Sequence, residues 1–535
     1  MLCLCFVKAQ ELIAGTCLAV ISDIMRSLKP ADMNAADRST CLPGTRQDCL
    51  KEVIDWLMTP SDQNMLWLYG AAGLGKSTIA TTIADYFGGL HRRGAFLFFD
   101  RNFPLESAPK RVISTLAYQL AQQHRAICSA IFTAIDHRPQ LVSDPLGTQI
   151  KSLLLEPLLK AAAQIEGPII IILDALDECG DAASRRQLLD LLSQEFSGLP
   201  SQFRILITSR PEHDIKCAFS SRSHIHTIDV SKASDEDMRR YFRHEMGRIY
   251  EKRHEIDELP VHWPGEEAIR RLTLYATGLF IWAATAMKLL FAAHSPDQWL
   301  DDLLLHDRPV FTLGELYKTA LLSASDWDSG ETTKAYKRIL GLIIISQIPL
   351  TDEAIVALLG FRDGGKTCRT ALQRLGCVIQ WSKGQPARTL HKSFPDYLTN
   401  RNYCSSEPWF IDVNEHHHAL TIACLGIMNE QLHFNMCQLT TSHIPNERLL
   451  DVPGLIKRFI SPSLSYSCLF WGHHLQETLP GESSILSLIL DFYEGKFLYW
   501  LEVLSLMGEV RSMARTMIAA KEYAMVSRYC MSNDY

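Results

Sequence analysis

Met65-Leu-Trp-Leu-Tyr69 runs directly into Gly70-Ala-Ala-Gly-Leu-Gly-Lys-Ser-Thr78, and the reading of this stretch decides the fold. The first five residues form an apolar β-type run. The next nine match G-x-x-x-x-G-K-S/T, and Thr78 to Phe87 carries a helical pattern. Strand, glycine-rich loop and helix, in that order, are the context this motif requires. The glycines let backbone N–H groups wrap a phosphate at the positive end of the following helix. Lys76 then reaches the β and γ oxygens of a nucleotide, and the Ser77 hydroxyl ligates Mg²⁺. Gly70, Gly73, Gly75, Lys76, Ser77 and Thr78 are therefore the candidate nucleotide-binding residues, with ATP/ADP and Mg²⁺ the expected cofactors.

Outward from the loop, apolar β-type runs recur at Ala95 to Phe99, Ile169 to Leu173, Arg204 to Thr208 and Ile225 to Val230, separated by amphipathic helical spacers. Five such strands predict an α/β, doubly wound parallel sheet. In such sheets ligands bind at the carboxyl ends of the strands. Ile169-Ile-Ile-Ile-Leu-Asp-Ala-Leu-Asp-Glu178 delivers carboxylates to that edge. Asp174 is placed to hold Mg²⁺ through a water, and Asp177 or Glu178 to polarise the water that attacks the γ-phosphate. Asp177 and Glu178 also read as simple caps of the next helix. Arg204 to Thr208 ends in Ser209-Arg210-Pro211, which brings Arg210 to the same edge as a γ-phosphate sensor. The chain has no N-K-x-D guanine-reading motif, which favours ATP over GTP.

With 535 residues the chain exceeds what one hydrophobic core supports. Hydrophobic residues at 47% and charged residues at 21% exclude the disordered, collagen-like and coiled-coil classes. The net charge of −7, from 53 basic and 60 acidic side chains, is too mild for global attraction to nucleic acid or to an anionic membrane. Fifteen cysteines without a C-x-x-C pair fit reduced thiols in a cytoplasmic protein better than a zinc ribbon or a disulfide framework. Leu12 to Ile24 lacks a basic n-region and is no signal peptide, and Lys288 interrupts the apolar run Gly278 to Ala293, which reads as a buried helix.

The expected organisation is an N-terminal helix (Glu11 to Leu28) and linker over 1–40, a nucleotide-binding domain over 41–230, a small helical domain over 231–310, a winged-helix domain over 311–400 and a C-terminal helical domain over 401–535. The winged helix is read from helices Ala335 to Ile345, Asp352 to Leu359 and Thr367 to Leu375, followed by strands Val378 to Trp381 and Ala387 to Leu390 about a Gly384 turn.

Cys41-Leu-Pro-Gly-Thr-Arg46, the Asp174-Ala-Leu-Asp-Glu178 form of the acidic strand, and Leu206-Ile-Thr-Ser-Arg-Pro-Glu212 together resemble the NACHT domains of STAND-class signalling P-loop NTPases. The fungal nephrocystin-type NACHT proteins are the particular likeness. The resemblance covers roughly residues 36–400, and 401–507 more loosely, including Phe497 to Ser505. It implies a switch in which a closed ADP-bound monomer opens and self-associates on exchange for ATP, with slow hydrolysis resetting the state and a protein effector downstream. It also implies that His391, in Leu390-His-Lys-Ser-Phe394, touches the β-phosphate of ADP. Gly278-Leu-Phe280 departs from the family's Gly-x-Pro, so the proline that backs the base is replaced by Phe280. No WD, ankyrin or leucine-rich spacing follows residue 400, so the usual sensor is absent or the gene product is truncated.

Two further features have bland expected roles. His416-His417-His418 reads as a solvated helix face, since successive helical side chains point about 100° apart and no cysteine or acidic cluster joins them. Residues 362–392 carry a local balance of +6, the kind of surface with which winged helices read DNA. Docking on nucleotide phosphates or acidic neighbours is favoured over duplex DNA there, so nucleic acid is an unexpected partner. A winged-helix DNA-binding regulator and a hydrolysis-inactive scaffold are the rival readings.

Overall fold

The computed structural model describes residues 28, 30–31, 38–103, 105–220, 222–305, 312–441, 445–449, 451–479 and 483–533. The expected N-terminal helix, apart from Leu28, lies outside them, as does most of the linker. The chain divides into two compact units, Met1–Phe311 and Thr312–Tyr535.

In the first unit, five parallel strands form one sheet: β1 (Met65–Tyr69), β2 (Arg93–Phe98), β3 (Ile169–Asp174), β4 (Phe203–Ser209) and β5 (Ile225–Asp229), in the order β2-β3-β4-β1-β5. Each strand lies within a residue or two of its expected span. Alternate residues point to opposite faces, and both faces are covered. Met65, Trp67, Ile169, Ile171, Leu173, Ile205 and Ile207 pack with the helices Pro109–Gln123, Arg125–His137 and Ala182–Glu195. Leu66, Leu68, Ile170, Ile172 and Leu206 pack with Gln47–Met58 and Lys76–Gly89. Burying a large aliphatic side chain stabilises by roughly 1.5–3 kcal/mol. The run Ile169 to Leu173, buried throughout, can therefore anchor a strand that ends in a charged side chain. The unit continues in helices Asp235–Asp257, Glu266–Ala276, Phe280–Ala292 and Pro296–Leu305. Phe280–Ala292 buries Trp282, Ala283, Ala286, Met287, Leu289 and Leu290, the buried helix expected around Lys288.

In the second unit, helices Gly330–Ile345, Asp352–Leu359 and Lys366–Arg374 precede β7 (Ile379–Gln380) and β8 (Pro386–Thr389). The turn closes with Gln385 N–H donating to Ser382 O (2.9 Å) and Gly384 at φ +76°. Three elements of this unit before residue 400 fall outside the sequence-based expectations, one of them helix Ser393–Thr399. Helix Leu313–Ala324 starts at a capping box of Thr312 and Glu315. The short β6 (Leu350–Thr351) completes an antiparallel sheet in the order β6-β8-β7. Part of the basic stretch is neutralised locally, Arg369 pairing with buried Asp352 at 2.6 Å.

Beyond residue 400 the described elements are helical. The run Ile485 to Met507 breaks at Lys496 into Ser483–Gly495 and Phe497–Leu506. The histidine triplet departs from a solvated face. His417 is 5% exposed, its Nδ1 lies 2.9 Å from Nδ1 of fully buried His474, and the Nε2 of His474 lies 2.8 Å from the Tyr466 hydroxyl. The reason is helical phase: His417 shares a stripe with the buried Leu420, Thr421, Cys424 and Met428 of Val413–Gln431, which packs on Pro462–Gln476. Among the described residues, no helix is long and apolar enough to cross a membrane.

Candidate nucleotide-binding site

The loop Gly70 to Gly75 leaves the carboxyl end of β1 and enters Lys76–Gly89, whose first internal bond closes Ile79 N–H on Gly75 O (3.0 Å). The amides of the first turn therefore point out of the helix at its positive end. Gly73 and Gly75 have φ of +78° and +87°. A Cβ on Gly73 would lie 2.0 Å from Ile281 Cγ2, because the start of Phe280–Ala292 seats against the loop and Ile281 N–H donates to Gly73 O (3.2 Å). Lys76 is 8% exposed, and its Nζ donates to Gly70 O and Ala71 O, each at 2.8 Å. An ammonium this buried needs a dense set of oxygen partners, and the curled loop supplies carbonyls where it also offers a phosphate cradle.

Arg46, in the left-handed region at φ 57°, fastens the preceding segment over this loop. Its guanidinium donates to Leu74 O (2.7 Å) and Ser231 O (2.9 Å) and lies 5.4 Å from the Phe280 ring, and its amide donates to Asp237 Oδ1 (3.1 Å). Burial lowers the Arg46 guanidinium below its ordinary value, against the opposing pull of Cys49 and Asp237. Phe280, where relatives would carry proline, thus stands beside the loop as the aromatic partner of Arg46 and of Tyr241 (5.6 Å).

At the end of β3, Asp174 is fully buried. Thr208 Oγ1 accepts from Ala175 N–H (3.0 Å) and donates to Asp174 Oδ1 (2.5 Å), which fixes the hydroxyl's direction. The other carboxylate oxygen, Oδ2, accepts from the Arg38 guanidinium. Asp177 is 2% exposed; its Oδ1 accepts from the Arg210 amide (3.0 Å), and its Oδ2 lies 3.7 Å from Arg210 Nε. Glu178 is the more accessible of the two and accepts from Arg101 N–H (3.2 Å). Beneath them, Arg185 bonds Asp177 O (2.7 Å), Glu212 Oε2 (2.6 Å) and Asp214 (2.8 and 3.1 Å). Burial works against the Arg185 charge, but the bonds to Asp214 and Glu212 outweigh it and hold the guanidinium above its ordinary value. The same contacts outweigh burial at Asp214 and hold its carboxyl below the usual range.

Gly70 to Thr78, Asp174, Asp177, Glu178 and Arg210 therefore all lie at the carboxyl ends of β1, β3 and β4. His391 lies in the second unit, at the start of Ser393–Thr399. There its Nδ1 accepts from Ser393 N–H (3.2 Å) and sits 2.7 Å from Ser393 Oγ, which also meets Tyr317 Oη (2.7 Å). Sequence reasoning passed over Arg38, Thr208 and Arg185. One signal was available: a carboxylate at the end of an all-apolar strand is buried and needs a cation or donors from elsewhere. The loop's positive-φ glycines, the buried lysine and the helix N-terminus fit the phosphates of a nucleotide, and Ser77 with Asp174 supplies the oxygen donors that suit Mg²⁺.

A family model described as Nephrocystin 3, N-terminal, matches residues 44–210. No curated protein matches the chain in sequence. Among solved structures, the chain is similar to the Aeropyrum pernix Orc1 protein in complex with DNA, at 14% identity and TM-score 0.30, over 72% of this chain and 97% of that one. It is also similar to Cdc6p from Pyrobaculum aerophilum (10%, TM-score 0.30, 68% and 96%). The Thermotoga maritima RuvB Holliday junction branch migration motor is a third (13%, TM-score 0.25, 69% and 98%). At these scores the fold rests on the strand order and the loop geometry themselves.

Proposed function

We propose that the chain is an ATP/ADP-binding switch of the NACHT class of STAND NTPases, with slow ATP hydrolysis that resets its state. The observation that carries the reading is the Gly70 to Thr78 loop, with Lys76 buried inside it, on the same sheet edge as the fully buried Asp174. The nephrocystin-type match over 44–210 supports the class. In this reading the first-turn amides and Lys76 bind the phosphates, while Ser77 and Asp174 hold the metal. Mg²⁺, when bound, would neutralise charge on the nucleotide's phosphates. Glu178 orients water, and the buried carboxylate of Asp177 positions Arg210 towards the γ-phosphate. We keep the finer division at residues 41, 231, 311 and 401, the winged-helix identity of 311–400, the cytoplasmic location, and self-association in the ATP state with transmission to a protein effector as parts of the same proposal. The family resemblance assigns the β-phosphate of ADP to His391.

The deciding experiment is Lys76→Ala, scored by retention of fluorescent ADP and ATP and by thermal unfolding. The expected result is loss of nucleotide retention with the fold kept, because Lys76 carries the charge inside the loop. Undiminished binding by the folded variant would overturn the assignment.

A further inference from the structure

Described residues from the amino-terminal side of the loop lie on both faces of the sheet and at its carboxyl edge. Leu28 is fully buried in the core on one face of the sheet, and Ala31 N–H donates there to Thr115 Oγ1 (2.9 Å). Cys41 packs into the core on the opposite face, its N–H donating to Thr82 Oγ1 of Lys76–Gly89 (2.8 Å). Between these anchors, Arg38 lies at the carboxyl edge. Its guanidinium sits 4.2 Å from the centre of the Phe98 ring at the end of β2 and pairs with Asp174 at the end of β3. The side chain is 21% exposed, whereas Asp174 is 0% exposed. Thr208 takes the other oxygen of Asp174, so the carboxylate already has a cation and a hydroxyl donor.

We propose that Arg38 is an intrinsic competitor of the divalent cation at Asp174. The guanidinium is held by an aromatic face and a carboxylate at once. A metal ion recruited to Asp174, directly or through a water, meets a positive charge already paired with that oxygen. Metal loading and release of Arg38 are therefore coupled, and by reciprocity a contact that draws Arg38 away tightens metal binding. The segment from Arg38 to Cys41 thus acts as an autoinhibitory strap on the site. This inference rests on the reading above in which Asp174 holds the metal.

The test is a Mg²⁺ titration of fluorescent ADP binding to the full chain, for the wild type, Arg38→Gln, Arg38→Lys and Asp174→Asn. Arg38→Gln is expected to lower the Mg²⁺ concentration at half-effect about tenfold, within the ordinary range of coupling between two ligands. Arg38→Lys should lie between it and the wild type, and affinity without Mg²⁺ should stay unchanged. Since Arg38→Gln leaves a buried carboxylate without its cation and could fail to fold, the wild type supplies a second readout. Tryptic cleavage after Arg38, followed by mass spectrometry, should accelerate when Mg²⁺ is added with ADP. An unchanged Mg²⁺ midpoint in the Arg38 variants, or cleavage indifferent to Mg²⁺, overturns the proposal. So does weaker nucleotide binding by Arg38→Gln without Mg²⁺, which would assign the arginine to the phosphates. If Asp174→Asn leaves the midpoint unmoved, the metal reading itself fails; if it shifts the midpoint while the Arg38 variants do not, the competitor alone is lost.

Discussion

Asp174 and Asp177, at the edge of the parallel sheet, and His417 and His474, between helices Val413–Gln431 and Pro462–Gln476, are all 5% exposed or less. The two pairs are kept in opposite ways. The carboxylates have cations brought to them, Arg38 to Asp174 and Arg210 to Asp177, with Arg185 bracing the turn. The imidazoles have each other and Tyr466. Neutral rings satisfy that chain when the Tyr466 O–H donates to His474 Nε2 and His474 Nδ1–H donates to His417 Nδ1, while Gln347 N–H donates to Tyr466 Oη (3.2 Å). Reference pKa values explain the difference. At pH 7 a neutral imidazole lies close to its ordinary state, whereas protonating an aspartate costs about 4 kcal/mol. Burying carboxylates therefore recruits counter-charges, and burying histidines recruits only hydrogen-bond partners.

Breaking the charged region should have the largest effect. Arg185 is 1% exposed and holds Glu212 and Asp214, so Arg185→Ala is expected to lower unfolding stability by about 3–5 kcal/mol. Urea denaturation measures it, and a loss below about 1 kcal/mol would show that the cations are incidental.

Acid sharpens the comparison from the other side. Burial first, then the neighbouring His473 and His416, brings His417 down to about 4. Burial first, then Lys337 and Arg338 against Asp412, brings His416 to about 4. The unfolded chain takes up these protons near pH 6.5 and the folded chain only near 4. It is therefore the unfolded state that binds more protons between those values, and stability rises with pH across the window. The stability is present above pH 6.5 and lost as pH falls towards 4. The His417 contribution alone should make the second unit less stable at pH 4.5 than at pH 7 by about 2–3 kcal/mol, read from the urea midpoint reported by buried Trp471 and Trp500. A flat profile would mean the rings are already charged.

The smallest expected effect is that of Tyr466→Phe, which strips a hydroxyl from the half-buried Gln347 amide and from His474 Nε2. About 1–2 kcal/mol should be lost, measured by the same denaturation at pH 7. No loss would mean that the histidine chain needs no terminal partner.

The site's polar inventory was largely legible because it is local. Gly70 to Thr78 specifies its own loop, since glycines at positive φ, a lysine at the helix start and an apolar strand before them act over a few residues. The strand Ile169 to Leu173 announces its burial by composition and so carries Asp174 to the edge. The role of His417 was hidden in the triplet, although its spacing to Leu420, Thr421 and Cys424 places it on the buried stripe.

Sequence alone determined the five strands of the parallel sheet, most of the helices and which carboxylates reach the edge, because hydrophobic periodicity and glycine geometry act between near neighbours. Tertiary structure decided which charges answer them. Arg38 and Asp174 lie 136 residues apart, Thr208 and Asp174 34, and His417 and His474 57. The sheet order β2-β3-β4-β1-β5 and the packing of Val413–Gln431 on Pro462–Gln476 bring these partners together, and no local pattern encodes them, because a buried charge selects its partner by proximity in the fold rather than along the chain.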